Sequence, residues 1–300
     1  MTTADEARRQ LKQRASELGI DLQAAVQFYA MERFLYRLSK SRWSDKLVVK
    51  GAAMLRVWDA AIARPTRDID FLGRIPNTPD AVREIVAECL AEPVEDGLIF
   101  SDVIDAIPIT VEDRYPGVRV KLAGDLAGVR FVLRLDVGID DAAVPEPGWV
   151  DYPTLLDDPM PRILAYHPAT AVAEKVQAMV EIGMSNSRLK DYYDVWMLSQ
   201  ALEFSGQELV DAFTATFAKR ETPLPAGAPP ELTAEFAEQP ATTSMWASYR
   251  STLARARIDA PENLTELAAG IAEFVTPPLR AAAAGSEFRR TWTPSRAWHP

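Results

Sequence analysis

The chain holds one cysteine, Cys89, and two histidines, His167 and His299, in 300 residues. A single cysteine excludes an internal disulfide and any zinc site built from several cysteines. Two histidines, one just before Pro168 and one in the tail, give little support to a histidine-ligated metal or a Ser-His-Asp triad. No run of 18 apolar residues occurs, so no membrane-spanning helix is expected. The opening Met1-Thr2-Thr3-Ala4-Asp5-Glu6 lacks the basic-then-apolar order of a secretory signal, and a cytoplasmic location is expected. Basic residues are the minority: 33 Lys and Arg against 43 Asp and Glu leave a net charge of −10. That sum alone argues against nucleic-acid binding.

What is present is ordinary globular material, 48% hydrophobic and 25% charged, long enough for one or two domains. Helical apolar spacing covers 5–18 and 22–40. A short strand at 46–49, a helix at 52–58 and a strand at 68–72 follow. Thr78-Pro79 reads as the start of a helix running to Leu90, with Cys89 as buried filler on its apolar stripe. Strand patterns at 97–101, 107–112, 118–122 and 129–139 have hairpin-like spacing, and the proline- and acid-rich 145–161 reads as a loop or linker. Helices are expected at 170–182, 188–202 and 208–220, a flexible Pro/Gly-rich break at 222–230, further helix within 231–284, and a disordered tail at 285–300. The expected fold is mixed α/β: a sheet flanked by helices over 1–161, then a helical region over 162–300.

The chemistry concentrates in Lys50-Gly51-Ala52-Ala53-Met54-Leu55 and Arg64-Pro65-Thr66-Arg67-Asp68-Ile69-Asp70-Phe71. Side chains two apart on a strand leave the same face, so Asp68 and Asp70 point one way while Ile69 and Phe71 enter the core. Two close carboxylates repel unless a cation sits between them, and Mg²⁺ takes one or two carboxylates plus waters and phosphates. The Gly51 turn before a helix offers backbone N–H groups to a phosphate. Asp-x-Asp is also a common solvated strand end. From Arg33 to Arg67 nine basic residues meet two acidic ones. That cluster either steers a phosphate-rich substrate, with Arg33, Arg37 and Arg42 touching RNA, or is a solvated helix face.

Three further residues stand out. In 129–137, Arg130, Arg134 and Asp136 alternate with apolar positions. Asp136 becomes a third carboxylate if this strand neighbours Asp68; otherwise it is an exposed strand aspartate. Lys175 falls among Val172, Val176, Met179 and Val180 on a packed helix face, where a lysine needs an anion partner, either a structural carboxylate or a triphosphate. Asp191 shares an inward stripe with Val195, Leu198 and Leu202, and pairing with Lys175 is expected.

Four segments in order resemble the AbiEii and MenT branch of the nucleotidyltransferase superfamily: Lys50-Gly51-x-x-Met54-Leu55, Arg64-x-Thr66-x-Asp68-Ile69-Asp70-Phe71, Glu174-Lys175, and Arg188-x-Lys190-Asp191-x-Tyr193-Asp194. Together they span about half the chain, and Ala52 stands where the superfamily commonly has Gly or Ser. The resemblance implies a toxin transferring NMP from an NTP (ATP, GTP or CTP) to the 3′ end of tRNA, which inhibits translation. It implies Mg²⁺ or Mn²⁺ on Asp68, Asp70 and Asp136, and catalytic roles for these three, Lys175 and Asp191. Triphosphate contacts would come from Lys50, Gly51, Thr66, Arg67 and Lys175. A cognate antitoxin, transcription-factor-like or kinase-like, is the implied partner. Thr66 could be its phosphorylation target, or a hydroxyl that only bonds the loop backbone. Two rivals are a nucleotidyltransferase acting on a small hydroxyl compound such as an aminoglycoside, and a non-catalytic nucleotide- or partner-binding protein.

Overall fold

A computed structural model describes residues 3–58, 66–111, 115–294 and 296–300. Arg64, named above, lies outside the described residues. Two compact units divide the chain: Met1–Asp140 with Gly148–Ala165, and Asp141–Pro147 with Tyr166–Pro300.

The first unit begins with α1 (Ala4–Leu18) and α2 (Leu22–Lys40). Thr3 caps α1 by accepting the Glu6 N–H, and Asp21 caps α2 by accepting the Ala24 N–H at 2.6 Å. Then come β1 (Leu47–Lys50), a 3-10 turn (Gly51–Met54), α3 (Leu55–Trp58), β2 (Asp68–Gly73) and α4 (Pro79–Leu90). Thr78 caps α4 as expected, its hydroxyl accepting the Ala81 N–H at 3.3 Å, and Cys89 is fully buried in that helix. Long strands β3 (Ile99–Val111), β4 (Tyr115–Leu126) and β5 (Val129–Ile139) follow, and β6 (Gly148–Asp151) and β7 (Arg162–Ala165) complete a seven-stranded sheet ordered β3-β4-β5-β2-β1-β7-β6. The stretch expected as a loop at 145–161 thus contains β6, which pairs antiparallel with β7 at the sheet edge. The two strands expected within β3 are one, interrupted by a register shift between Phe100 and Ile104.

β2 is the hinge of the topology, antiparallel to β1 and parallel to β5. One face of the sheet is sealed: Ile69, Phe71, Val118, Val120, Leu133 and Leu135 pack with Phe34 and Leu38 of α2 and Ile85 of α4. With α1 covering its other side through Ala7, Leu11 and Ala15, α2 is enclosed nearly all round. That enclosure overturns the expected RNA-facing role of Arg33 and Arg37. They are 1% and 5% exposed by side chain, and both turn to the buried Asp96. Arg37 makes a fork to both of its oxygens, and Arg33 Nε lies 3.7 Å away. Arg56 likewise pairs with the buried Glu32 at 2.6 Å. A guanidinium inside a helix-sheet layer requires a carboxylate, so these cations serve the fold. Arg42 does lie at the surface, where Glu88 takes it at 2.7 Å.

The second unit carries α5 (Pro168–Ile182), α6 (Leu189–Ala201), β8 (Phe204–Ser205), α7 (Gly206–Lys219), α8 (Ala234–Ala237), α9 (Pro240–Arg255), α10 (Leu264–Ala284), β9 (Thr291–Thr293) and β10 (Ala297–His299). The tail expected to be disordered is instead ordered: β8, β9 and β10 form a small sheet. Trp292 is 2% exposed and donates to the Ser199 carbonyl at 2.7 Å. Its ring and that of Trp298 pack on Phe274. Basic and proline content masked these two aromatic anchors. No helix among the described residues is long and apolar enough to cross a membrane.

Candidate active site

The face of the sheet opposite α2 and α4 carries the charges. Lys50, Asp70, Asp136 and Arg119 stand in one row across β1, β2, β5 and β4. Two residues along, Asp68, Arg134, Lys121 and Asp105 form the next row across β2, β5, β4 and β3. Each row places like charges directly opposite at its centre, Asp70 beside Asp136 and Arg134 beside Lys121. Such pairs destabilise a sheet, and the rows tolerate them because opposite charges flank each pair. The strand alternation therefore places Asp68 and Asp70 as expected, and the parallel β2–β5 pairing brings Asp136 level with Asp70.

Gly51 opens the turn that follows β1. Its φ is +70°, and a Cβ there would stand 2.1 Å from Asp70 Oδ2. Only glycine allows both the left-handed backbone and this approach, so the turn lies directly against the Asp70 carboxylate. Lys50, 8% exposed, is Asp70's partner on the neighbouring strand.

Asp136 is held by Arg119 through two hydrogen bonds, 2.8 Å from Nε to Oδ1 and 2.6 Å from Nη2 to Oδ2. That bond to Asp136 raises the Arg119 pKa; partial burial opposes the rise, and the charges of Asp136, Asp68 and Asp70 add to it. Asp68 differs. Its Oδ1 is buried without a hydrogen-bond partner, although Arg134 Nε stands 3.5 Å away as an ion pair. An anionic oxygen without a hydrogen bond, beside a second carboxylate, fits a cation. Among the described residues no group of three or more His, Cys, Asp or Glu side chains forms a metal cage. Mg²⁺ bound with substrate phosphates needs only one or two carboxylates, so Asp68 and Asp70 suit it.

Thr66 turns its hydroxyl to the Asp68 backbone, donating to the carbonyl at 3.2 Å and accepting from the N–H at 3.4 Å. That geometry is the loop-bonding alternative. Arg67 is exposed, and its carbonyl accepts from Gln27 at 3.2 Å. Sequence reasoning missed Arg119 and Lys121, although Val118-Arg119-Val120-Lys121-Leu122 alternates as cleanly as the Asp136 strand does.

Lys175 and Asp191 belong to the second unit. Lys175 Nζ donates to Asp191 Oδ1 at 2.7 Å and Asp194 Oδ2 at 2.8 Å, and Arg188 holds the other Asp191 oxygen at 2.8 Å. Burial would raise the Asp191 pKa, but Lys175 and Arg188 outweigh it and bring it down to about 2. The expected Lys175–Asp191 pair is present, with Asp194 as a second partner.

No curated protein matches the chain. Two crystal structures from Helicobacter pylori are similar. One is of a provisionally assigned nucleotidyltransferase, 14% identical, covering 88% of this chain and 95% of that one at a TM-score of 0.46. The other is of JHP933, 15% identical, covering 87% and 90% at the same TM-score. The family model described as nucleotidyl transferase AbiEii toxin, type IV toxin–antitoxin system, matches residues 33–283, which include both the Asp68-Ile69-Asp70 strand and the Lys175–Asp191 pair. The chain belongs to the AbiEii nucleotidyl transferase toxin family of type IV toxin–antitoxin systems.

Proposed function

We propose that the chain is a nucleotidyltransferase toxin that moves NMP from an NTP onto the 3′-hydroxyl of tRNA, blocking aminoacylation and hence translation and growth. The observation that carries this reading is the Asp68–Asp70 face with Asp136 in register and the Gly51 turn against Asp70. Asp68 and Asp70 would hold Mg²⁺ or Mn²⁺, which when bound neutralises phosphate charge and acidifies the attacking hydroxyl. The Gly51 turn receives the triphosphate through its backbone N–H groups. The acceptor oxygen bonds to the α-phosphorus as the bond to the bridging oxygen of pyrophosphate breaks. The hydroxyl proton passes to the Asp136 carboxylate and then to water, while Arg119 orients that carboxylate. Positioning and electrostatics supply most of the rate.

A cognate antitoxin is the partner that type IV membership implies. If it is a kinase, phosphate on Thr66 would add about −1.5 to −2 charge beside Asp68 and would have to break the hydroxyl's two backbone bonds. Incubation of the protein with each labelled NTP, divalent metal and total tRNA, and separately with an aminoglycoside panel, tests the reading. Label on tRNA that maps to the 3′ end supports it. Label on an aminoglycoside alone moves the acceptor to small molecules, and label on neither points to a binding protein.

A further inference from the structure

Beside Asp68 the first unit holds a cleft of about 470 Å³, within the range of about 300–1,000 Å³ typical of ligand sites. Among the described residues Arg67, Arg130 and Arg134 line it, with Phe28, the half-exposed Val132 and one carboxylate, Asp21. Asp21 is already engaged in capping α2, so the cleft presents guanidinium charge. Its walls are tied down. Gln27 donates to the carbonyls of Arg67 and Val132 at 3.2 and 3.1 Å, and Gln23 to that of Arg130 at 2.8 Å. The three arginines therefore project from held backbone rather than from free loops.

Position gives the cleft its meaning. The Gly51 turn flanks the two aspartates from the β1 side, while the cleft flanks them from the β5 side and adjoins Asp68 through Arg134 and Thr66. Neighbouring strands lie about 4.8 Å apart, so the two flanks are separated by roughly two strand spacings. Phosphoryl displacement runs in line, with attacking and leaving oxygens on opposite sides of the phosphorus. If pyrophosphate leaves on the Gly51 side, the acceptor enters from the cleft. Its charge then selects among acceptors. An aminoglycoside is a polycation and would be repelled, whereas guanidinium forks match phosphate and the Phe28 and Val132 surfaces offer a base an apolar contact.

Resting on the transfer reading, we infer that this cleft is the acceptor site. Arg67, Arg130 and Arg134 hold backbone phosphates of single-stranded RNA next to its 3′-terminal nucleotide, which assigns Arg67 to the acceptor rather than the triphosphate. The test uses the full-length protein and a fluorescein-labelled eight-nucleotide single-stranded RNA with a free 3′-hydroxyl. Anisotropy is read from low to moderate salt, and NTP affinity is measured separately by equilibrium dialysis. Three phosphate contacts predict a log–log salt slope of about −2. Arg130→Ala should weaken RNA binding about tenfold and flatten the slope by about 0.7. Arg67→Ala with Arg130→Ala should weaken it about a hundredfold, with NTP affinity within twofold of wild type and an unchanged melting temperature. NTP affinity that falls while RNA binding holds would make the cleft a triphosphate site and overturn the inference. So would an RNA affinity equal in wild type and double variant, or label transferred only to acceptors that carry no phosphate. Arginine-dependent RNA binding without transfer to any acceptor would instead remove the transfer reading and leave the cleft as an RNA site.

Discussion

Each unit gathers acidic side chains around basic ones, and the two clusters are built on opposite terms. In the second unit Lys175 is 14% exposed, Asp191 4% and Asp194 0%; both carboxylates meet the ammonium below 3 Å, and Arg188 closes the group. In the first unit Asp68, Asp70 and Asp136 lie on a sheet face, like charges stand side by side, and Asp68 Oδ1 has no hydrogen bond. A buried cluster must be neutralised within itself because desolvated charge is costly. On the sheet face the Asp68 Oδ1 lacks a hydrogen bond, and its charge is met there by Arg134 Nε at 3.5 Å. The contrast is between a group neutralised from within and one that leaves an anionic oxygen without a hydrogen bond, although both draw on the same residue types.

The contrast breaks if the two clusters respond alike to substitution. The largest expected effect is on the open face: Asp70→Asn or Asp68→Asn should cut nucleotide transfer by about 10³-fold or more with little change in thermal stability. A well-folded Asp68→Asn protein transferring label at wild-type rate would refute the catalytic assignment. Lys175→Ala should act first on stability, costing about 3 kcal/mol or more in denaturant unfolding because two buried carboxylates lose their cation. A stability loss below about 1 kcal/mol would show that the pair is not an anchor.

Acid sharpens the same point. The Asp191 pKa falls from 3.8 to about 2 on folding, so its ionised form stabilises the protein fully above about pH 4. That contribution, about 2 kcal/mol, disappears as the pH drops toward 2. Asp191→Asn should remove this part of the slope in a pH series of urea melts. The smallest effect is expected at Gly51→Ala. The left-handed backbone adds about 1–2 kcal/mol of strain, and the new methyl displaces the Asp70 carboxylate. Transfer should fall about tenfold, and kcat should change more than the affinity for the acceptor RNA.

Local pattern made much of this legible. The Thr78-Pro79 start of α4, the alternation of β5 and the shared face of Asp68 and Asp70 each follow from periods of 3.6 or 2 and from capping chemistry, and the structure places them as read. The failures share one cause. Arg33 and Arg37 read as a basic surface because the burial of α2 depends on α1, the sheet and Asp96, which lies 59 residues from Arg37. The tail read as disordered because Trp292 and Trp298 find their partner Phe274 only in the folded unit. The alternation around Arg119 marks only an outward-facing strand position; its importance comes from standing opposite Asp136 on the next strand.

The sequence by itself determined most of the helices and the central strands, the mixed α/β class, and the fact that Asp68 and Asp70 leave one face of a strand, because these depend on neighbours a few residues away. It also determined that Lys175 would need an anion, because a lysine on an apolar stripe cannot stay unpaired. Only the tertiary structure decided that Asp136 stands level with Asp70, that Arg119 holds it, and that Gly51 presses on Asp70 rather than turning freely. It alone decided which arginines serve the core and which line the cleft beside Asp68. Those outcomes depend on strand order and register, set by burying one sheet face against α2 and α4, and no short-range pattern encodes them.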